Sequence, residues 1–237
     1  MNAWFRRRGP AVTGHASTAR SHVGRVRTVN EDRLLDCPDR GLWAIADGMG
    51  GHRGGDVAAE VAIRYLQAIE AVPDDAEITH AIAAASDEIR RTTDGESGTT
   101  LVALRIDGDL ATLHWSGDSR AYLIRGDALT QLTRDHSLVQ QMVDAGALTP
   151  EQAAHHPRAN VITSALGIGD AMTVDRAETR LRAGDRLLLC SDGLSRSLCD
   201  RDVRSDDSID NLADRLLTNA LQRDGSDNIS LVLVEIA

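Results

Sequence analysis

Carboxylates stand where apolar runs stop or start in this chain of 237 residues. Leu42-Trp43-Ala44-Ile45-Ala46 ends in Asp47-Gly48, Leu187-Leu188-Leu189-Cys190 ends in Ser191-Asp192-Gly193, and Leu113-His114-Trp115 ends in Ser116-Gly117-Asp118. Asp227-Asn228 opens the last apolar run, and Glu31-Asp32 opens Arg33-Leu34-Leu35. In antiparallel neighbours the end of one strand lies beside the start of the next. These acids can therefore share one rim. Clustered carboxylates repel and raise each other's pKa, and a divalent cation removes that cost. An oxygen-only set without Cys or His points to Mg or Mn and away from Zn. Asp-Gly after a strand is also ordinary turn chemistry. One such site reads that way; five attached to apolar runs do not.

Other chemistries compete for the same residues. Asp47-Gly48-Met49-Gly50-Gly51-His52 precedes Gly54-Gly55 and a helical pattern. Glycines let backbone approach a ligand, and a backbone carbonyl can bind a metal. A dinucleotide loop fits poorly, because Arg53 breaks the glycine spacing and an acid sits at the strand exit. Cys190 to Ser197 matches the CxxGxxRS spacing of cysteine-dependent phosphatases, with Cys190 as nucleophile and Arg196 as phosphate ligand. Against it, Leu189 stands where that signature has histidine, and Cys190 falls inside an apolar run. The remaining histidines show no paired ligand spacing; His52 and the helix-ending His155-His156 read as structural and surface residues.

Composition narrows the classes. All 26 basic residues are arginine, because the chain contains no lysine. That excludes the lysine-dependent phosphate loop, the protein-kinase site and Schiff-base chemistry in their usual forms. A net charge of −10 argues against a nucleic-acid binder and reads first as a solubilising surface. With 42% apolar residues, one domain with a sizeable core is expected. Aromatics make up only 3%, so Leu, Val, Ile and Ala must fill that core. Cys37, Cys190 and Cys199 form no ligand pair and suggest a reducing compartment. No run approaches the roughly 18 apolar residues of a membrane span. Residues 1–12 read as a short basic leader without a secretory pattern; residues 13–237 read as one domain.

The elements that must place the acids follow from periodicity. Strand-length runs recur over 41–46, 100–106, 110–115, 121–124, 185–190 and 229–236. Helical spacing covers 57–71, 78–89 and 209–221. The segment 109–129 reads as two strands, a polar break between them, and a hairpin turn at Gly126-Asp127. Grouped helices and tightly connected strands predict an α+β fold with helices on antiparallel sheets. An inserted lobe over 137–160 carries two helix starts, a capping box at Ser137 and Gln140 and a second at Thr149 and Gln152.

Six stretches together resemble the metal-dependent Ser/Thr protein phosphatases of the 2C type in their bacterial form: VGRVRTVNED (23–32), ADGMGGH (46–52), SGTT (97–100), SGDSRAYL (116–123), CSDGL (190–194) and SDNIS (226–230). They occur in family order and span nearly the whole chain. The resemblance implies a four-layer α/β/β/α sandwich with two sheets face to face, and a flap at about 137–160. It implies two Mn or Mg ions bridged by Asp47. Asp192 and Asp227 would hold one ion, and Glu31 with the Gly48 carbonyl the other. Asp32 would orient a water, Asp118 with Asp192 would form a weaker third site, and Arg27 would grip the substrate phosphate. A water held between the ions would attack phosphorus in line, without a phosphoenzyme. The implied partners are phosphoproteins and an opposing Ser/Thr kinase, for a cytoplasmic monomer that binds no nucleic acid. A catalytically silent module of the same fold is the other reading; the intact ligand set argues against it. Two positions depart from the family. Met49 stands where many eukaryotic members have histidine, and Ser164 where many bacterial members have arginine.

Overall fold

The longest strand runs are apolar at nearly every position because both of their faces are covered. The computed structural model describes residues 14–50, 54–70, 72–169, 172–204 and 207–237. The basic leader expected over 1–12 and His52 lie outside these residues. One sheet runs in the order β1 (His15–His22), β11 (Ile229–Ile236), β10 (Arg186–Cys190), β7 (Arg120–Arg125), β8 (Ala128–Gln131). The other runs β2 (Asp32–Cys37), β3 (Leu42–Met49), β5 (Leu101–Asp107), β6 (Leu110–Ser116), β9 (Asp175–Arg180), with β4 (Gly98–Thr99) also paired to β3. Neighbouring strands pair antiparallel throughout.

Alternation divides each strand between two cores. Trp43, Ile45, Val102, Leu104, Leu113 and Trp115 of one sheet meet Leu123, Leu187, Leu189, Val232 and Val234 of the other. The outward residues Leu42, Ala44, Ala46, Leu101 and Ala103 pack on α1 (Gly55–Gln67) and α2 (Asp75–Thr92). On the far side, Leu188, Cys190, Ile229, Leu231 and Leu233 pack on α5 (Asp192–Ser195) and α6 (Ile209–Arg223). The result is the expected four-layer sandwich. Its two inter-sheet tryptophans also satisfy their indole N–H groups, donating to Asp36 Oδ1 at 2.9 Å and to the Arg134 carbonyl at 2.8 Å.

Periodicity missed β1 and β9, whose sequences are polar; β8 is the return strand of the Gly126-Asp127 hairpin, with Arg125 opposite Ala128. All three are sheet edges, where one side meets no further strand and the demand for apolar residues is weak. The first helix begins at Gly55 and ends at Gln67, short of its predicted end. Between β8 and β9 lie α3 (Leu138–Asp144) and α4 (Pro150–Ala154). Thr149 and Gln152 form both bonds of a capping box. At α3 only half of the expected box exists: Ser137 accepts from Gln140 N, while the Gln140 side chain donates to Asp144 instead.

The sandwich brings the start of α5 hard against the start of β11. A Cβ on Gly193 would stand 2.0 Å from the Asn228 carbonyl oxygen, so only glycine lets Asp192 and Asp227 come this close. Gly193→Ala is expected to destabilise the chain by about 1–3 kcal/mol in urea unfolding, because a backbone atom cannot yield as a side chain can. An unchanged unfolding midpoint would show that the contact is slack.

Candidate metal centre

Strand pairing sets the site. Asp32, at the start of β2, lies directly opposite Asp47 near the end of β3. Asp192 follows β10, and Asp227 precedes β11, the neighbour of β10. Asp118 follows β6 in the turn to β7. Glu31, Asp47, Gly48, Asp118, Asp192 and Asp227 all line one cavity of about 240 Å³, with Arg27 at its wall. Asp32 lies beneath it, only 4% exposed.

Neutral groups hold these acids in place. Ser191 Oγ donates to Asp32 Oδ2 at 2.9 Å. Asp47 N donates to Thr100 Oγ1 at 3.2 Å. Asn228 ties the 23–31 segment to β11: its Oδ1 accepts from Glu31 N at 2.8 Å, and its Nδ2 donates to the Val23 and Val29 carbonyls at 2.9 Å each. Gly48 N donates to the Glu31 carbonyl, and a Cβ on Gly48 would stand 2.1 Å from the Gly55 carbonyl oxygen. Sequence reasoning assigned no role to Ser191 or Thr100. Ser191 adjoins Asp192, which resembles ordinary strand-end polarity, and Thr100 adjoins none of the acids in sequence.

The electrostatics are those of a crowded anionic pocket. Burial, and then the neighbouring acids, push Asp47 well above the usual carboxylate range, with Asp32, Asp192, Asp118 and Asp227 all contributing. Burial pushes Asp32 and Asp118 up to about 7. Asp192 and Glu31 rise for the same first reason. Asp32 Oδ1 is buried without a hydrogen-bond partner. Cations already answer part of this charge. Arg27 forks onto Asp227, Nη2 to Oδ2 and Nε to Oδ1 at 3.0 Å each. Arg196 pairs with Asp192, and its Nη1 stands 3.8 Å from Asp227 Oδ2.

A hard divalent cation fits this donor set: oxygen atoms only, an orphaned buried carboxylate oxygen, and mutual repulsion to be relieved. Among the described residues no three His, Cys, Asp or Glu side chains converge closely enough to hold an ion as they stand, and Arg27 and Arg196 pair with Asp227 and Asp192. The cysteine alternative fails on geometry. Cys190 is 0% exposed on the face of β10 that packs against α6, and burial pushes its thiol up to about 12. Such a thiol is neither ionised nor reachable.

The sequence pattern of protein phosphatase 2C matches residues 18–232. The chain belongs to the protein phosphatase 2C family. As a member, it is a protein-serine/threonine phosphatase by family. It is 35% identical to the serine/threonine phosphatase stp of Listeria innocua, over 91% of this chain and 94% of that one. It is 38% identical to the serine/threonine protein phosphatase PstP of Mycobacterium tuberculosis, covering 92% of this chain but 44% of PstP. Among solved structures, PppA, a key regulatory component of T6SS in Pseudomonas aeruginosa, superposes with a TM-score of 0.87 at 36% identity, covering 96% of this chain and 100% of that one. The catalytic domain of PstP in complex with two manganese ions superposes with a TM-score of 0.80 at 35% identity, over 94% and 98%. In this phosphatase no helix among the described residues is long and apolar enough to cross a membrane.

The buried acids make a prediction about the metal-free chain. Asp32 titrates near 7 folded against 3.8 as its ordinary value, so the folded state binds more protons between the two. Its contribution to stability is therefore lost as pH rises through that window. In chelator, Asp32→Asn is expected to unfold at higher urea than the parent at about pH 8, with the gap closing toward about pH 5. A gap that does not change with pH would count against a titrating Asp32.

Proposed function

We propose that this chain hydrolyses phosphoserine and phosphothreonine on proteins with two divalent cations, Mn or Mg, held at the rim of the sandwich. The observation that carries this reading is the cavity where both sheets bring carboxylates together with the Arg27 fork at its wall. Asp192 and Asp227 would hold one ion and Glu31 with the Gly48 carbonyl the other, with Asp47 shared between them; Asp118 with Asp192 would form a third, weaker site. The PstP catalytic domain with two manganese ions supports the stoichiometry. When bound, the ions supply an acidified water and neutralise the charge that develops on phosphorus during in-line displacement.

The chain's own groups do the rest. Arg27, forked onto Asp227 at the cavity wall, offers a planar guanidinium that would engage phosphate oxygens. Asp32, fixed by Ser191 and directly opposite Asp47, orients the attacking water from behind. Met49 lines the cavity and cannot give a proton to the leaving alkoxide, so solvent or another group must. The helices α3 and α4 act as a flap that meets the phosphoprotein. In the cell the enzyme opposes a Ser/Thr kinase in the cytoplasm.

Replacing Asp192 by Asn is expected to lower Mn-dependent hydrolysis of a phosphothreonine peptide by more than about a hundred-fold. Chelation abolishes activity in this reading, and thiol alkylation spares it. Activity that survives chelator but dies on alkylation would return the reaction to Cys190.

A further inference from the structure

Arg196 entered the sequence reading only as part of a cysteine-phosphatase spacing that the buried Cys190 rules out. The side chain nonetheless sits in the site. It follows α5, four residues after Asp192, pairs with Asp192, and holds its Nη1 3.8 Å from the same Asp227 oxygen that Arg27 engages. It lines the 240 Å³ cavity together with Arg27. It also lines a second cavity of about 440 Å³ beneath α3 and α4, so it stands at the boundary of the two.

Ser164 stands where many bacterial members of the family have arginine. Ser164 carries no charge, and its hydroxyl is occupied by Ser116 Oγ at 3.0 Å and by the Thr173 backbone at 3.0 and 3.2 Å. Ser164 does not line the 240 Å³ cavity. The flap side of the cavity thus lacks a cation from position 164 and has one from α5.

We propose that Arg196 is a second phosphate-binding residue, converging with Arg27 on the Asp227 side of the cavity and supplying the cation absent at Ser164. The inference rests on the phosphatase reading above. A phosphomonoester near neutral pH carries close to two negative charges, and one guanidinium fork can engage only two of its oxygens. Arg27 and Arg196 both reach Asp227 at the wall of one cavity, so a phosphate seated there would lie within reach of two guanidinium groups. Pairing with Asp192 keeps a half-buried guanidinium satisfied.

The test uses the Mn-loaded full chain, Arg196→Gln and Arg196→Lys. Calorimetry with inorganic phosphate is expected to show about ten-fold weaker binding for Arg196→Gln and partial recovery for Arg196→Lys. The KM for a phosphothreonine peptide should rise by a similar factor, with a smaller change in kcat and the same number of Mn ions bound. Unchanged phosphate affinity would overturn the proposal. So would an extra or markedly tighter Mn ion in Arg196→Gln, which would make Arg196 a rival of the metal. A KM effect confined to peptides with an acidic residue beside the phosphothreonine would also overturn it, moving Arg196's partner into the larger cavity. Phosphate binding is read without turnover. An inactive parent whose phosphate affinity still depends on Arg196 would therefore defeat the phosphatase reading and leave the inference standing.

Discussion

Carboxylates gathered in a poorly solvated rim repel one another, and the rest of this structure answers that repulsion. Asp47 bears the most of it, flanked by Asp32, Asp192, Asp118 and Asp227. A chain free to choose would separate them. Here the sheets forbid separation: Asp32 faces Asp47 across one ladder, and Gly193 lets α5 press on Asn228 at the foot of the other sheet. The cost is met in part by the hydrogen bond that Ser191 donates to Asp32 and by two arginines. What remains uncompensated is a strong preference for added cations.

The scaffold is suited to this because it is stiff and built from small side chains. Two sheets share one inter-sheet core, and each has helices on its outer face. With few aromatics, branched and small apolar residues interdigitate at nearly every strand position. Strand ends therefore emerge at fixed places, and the acids at those ends inherit that precision. Asn228 extends it to the 23–31 segment, which has no regular structure before β2 yet carries both Arg27 and Glu31.

Much of this was legible before any coordinates. Acids after apolar runs at Asp47, Asp118 and Asp192, and before them at Glu31 and Asp227, announced a shared rim once antiparallel pairing was assumed. The long strands were visible for the same reason that they are buried: both faces demand apolar residues. The polar edge strands β1 and β9 were invisible because an edge asks little of its sequence, while β8 was betrayed by the Gly126-Asp127 turn. The half-formed cap at Ser137 was over-read because Gln140 had a competing partner, Asp144, that spacing does not weigh. Arg196 sits in a cysteine-phosphatase spacing by sequence alone, because a local spacing cannot tell a buried cysteine from a reactive one.

The sequence by itself determined the chemistry on offer: oxygen ligands only, arginine as the sole cation, no lysine, and a motif order shared with one family. Those facts depend on residue type, which no folding changes. Only the tertiary structure decided which side chains meet. Asp32 and Asp227 are far apart in the chain, and so are Arg27 and Asp227; the first pair meets because two sheets pack face to face, the second because Asn228 ties the 23–31 segment to β11. It also decided that Cys190 is sealed and that Arg196 is not. Burial and proximity are properties of packing, and packing is set by contacts between distant segments that no local pattern contains.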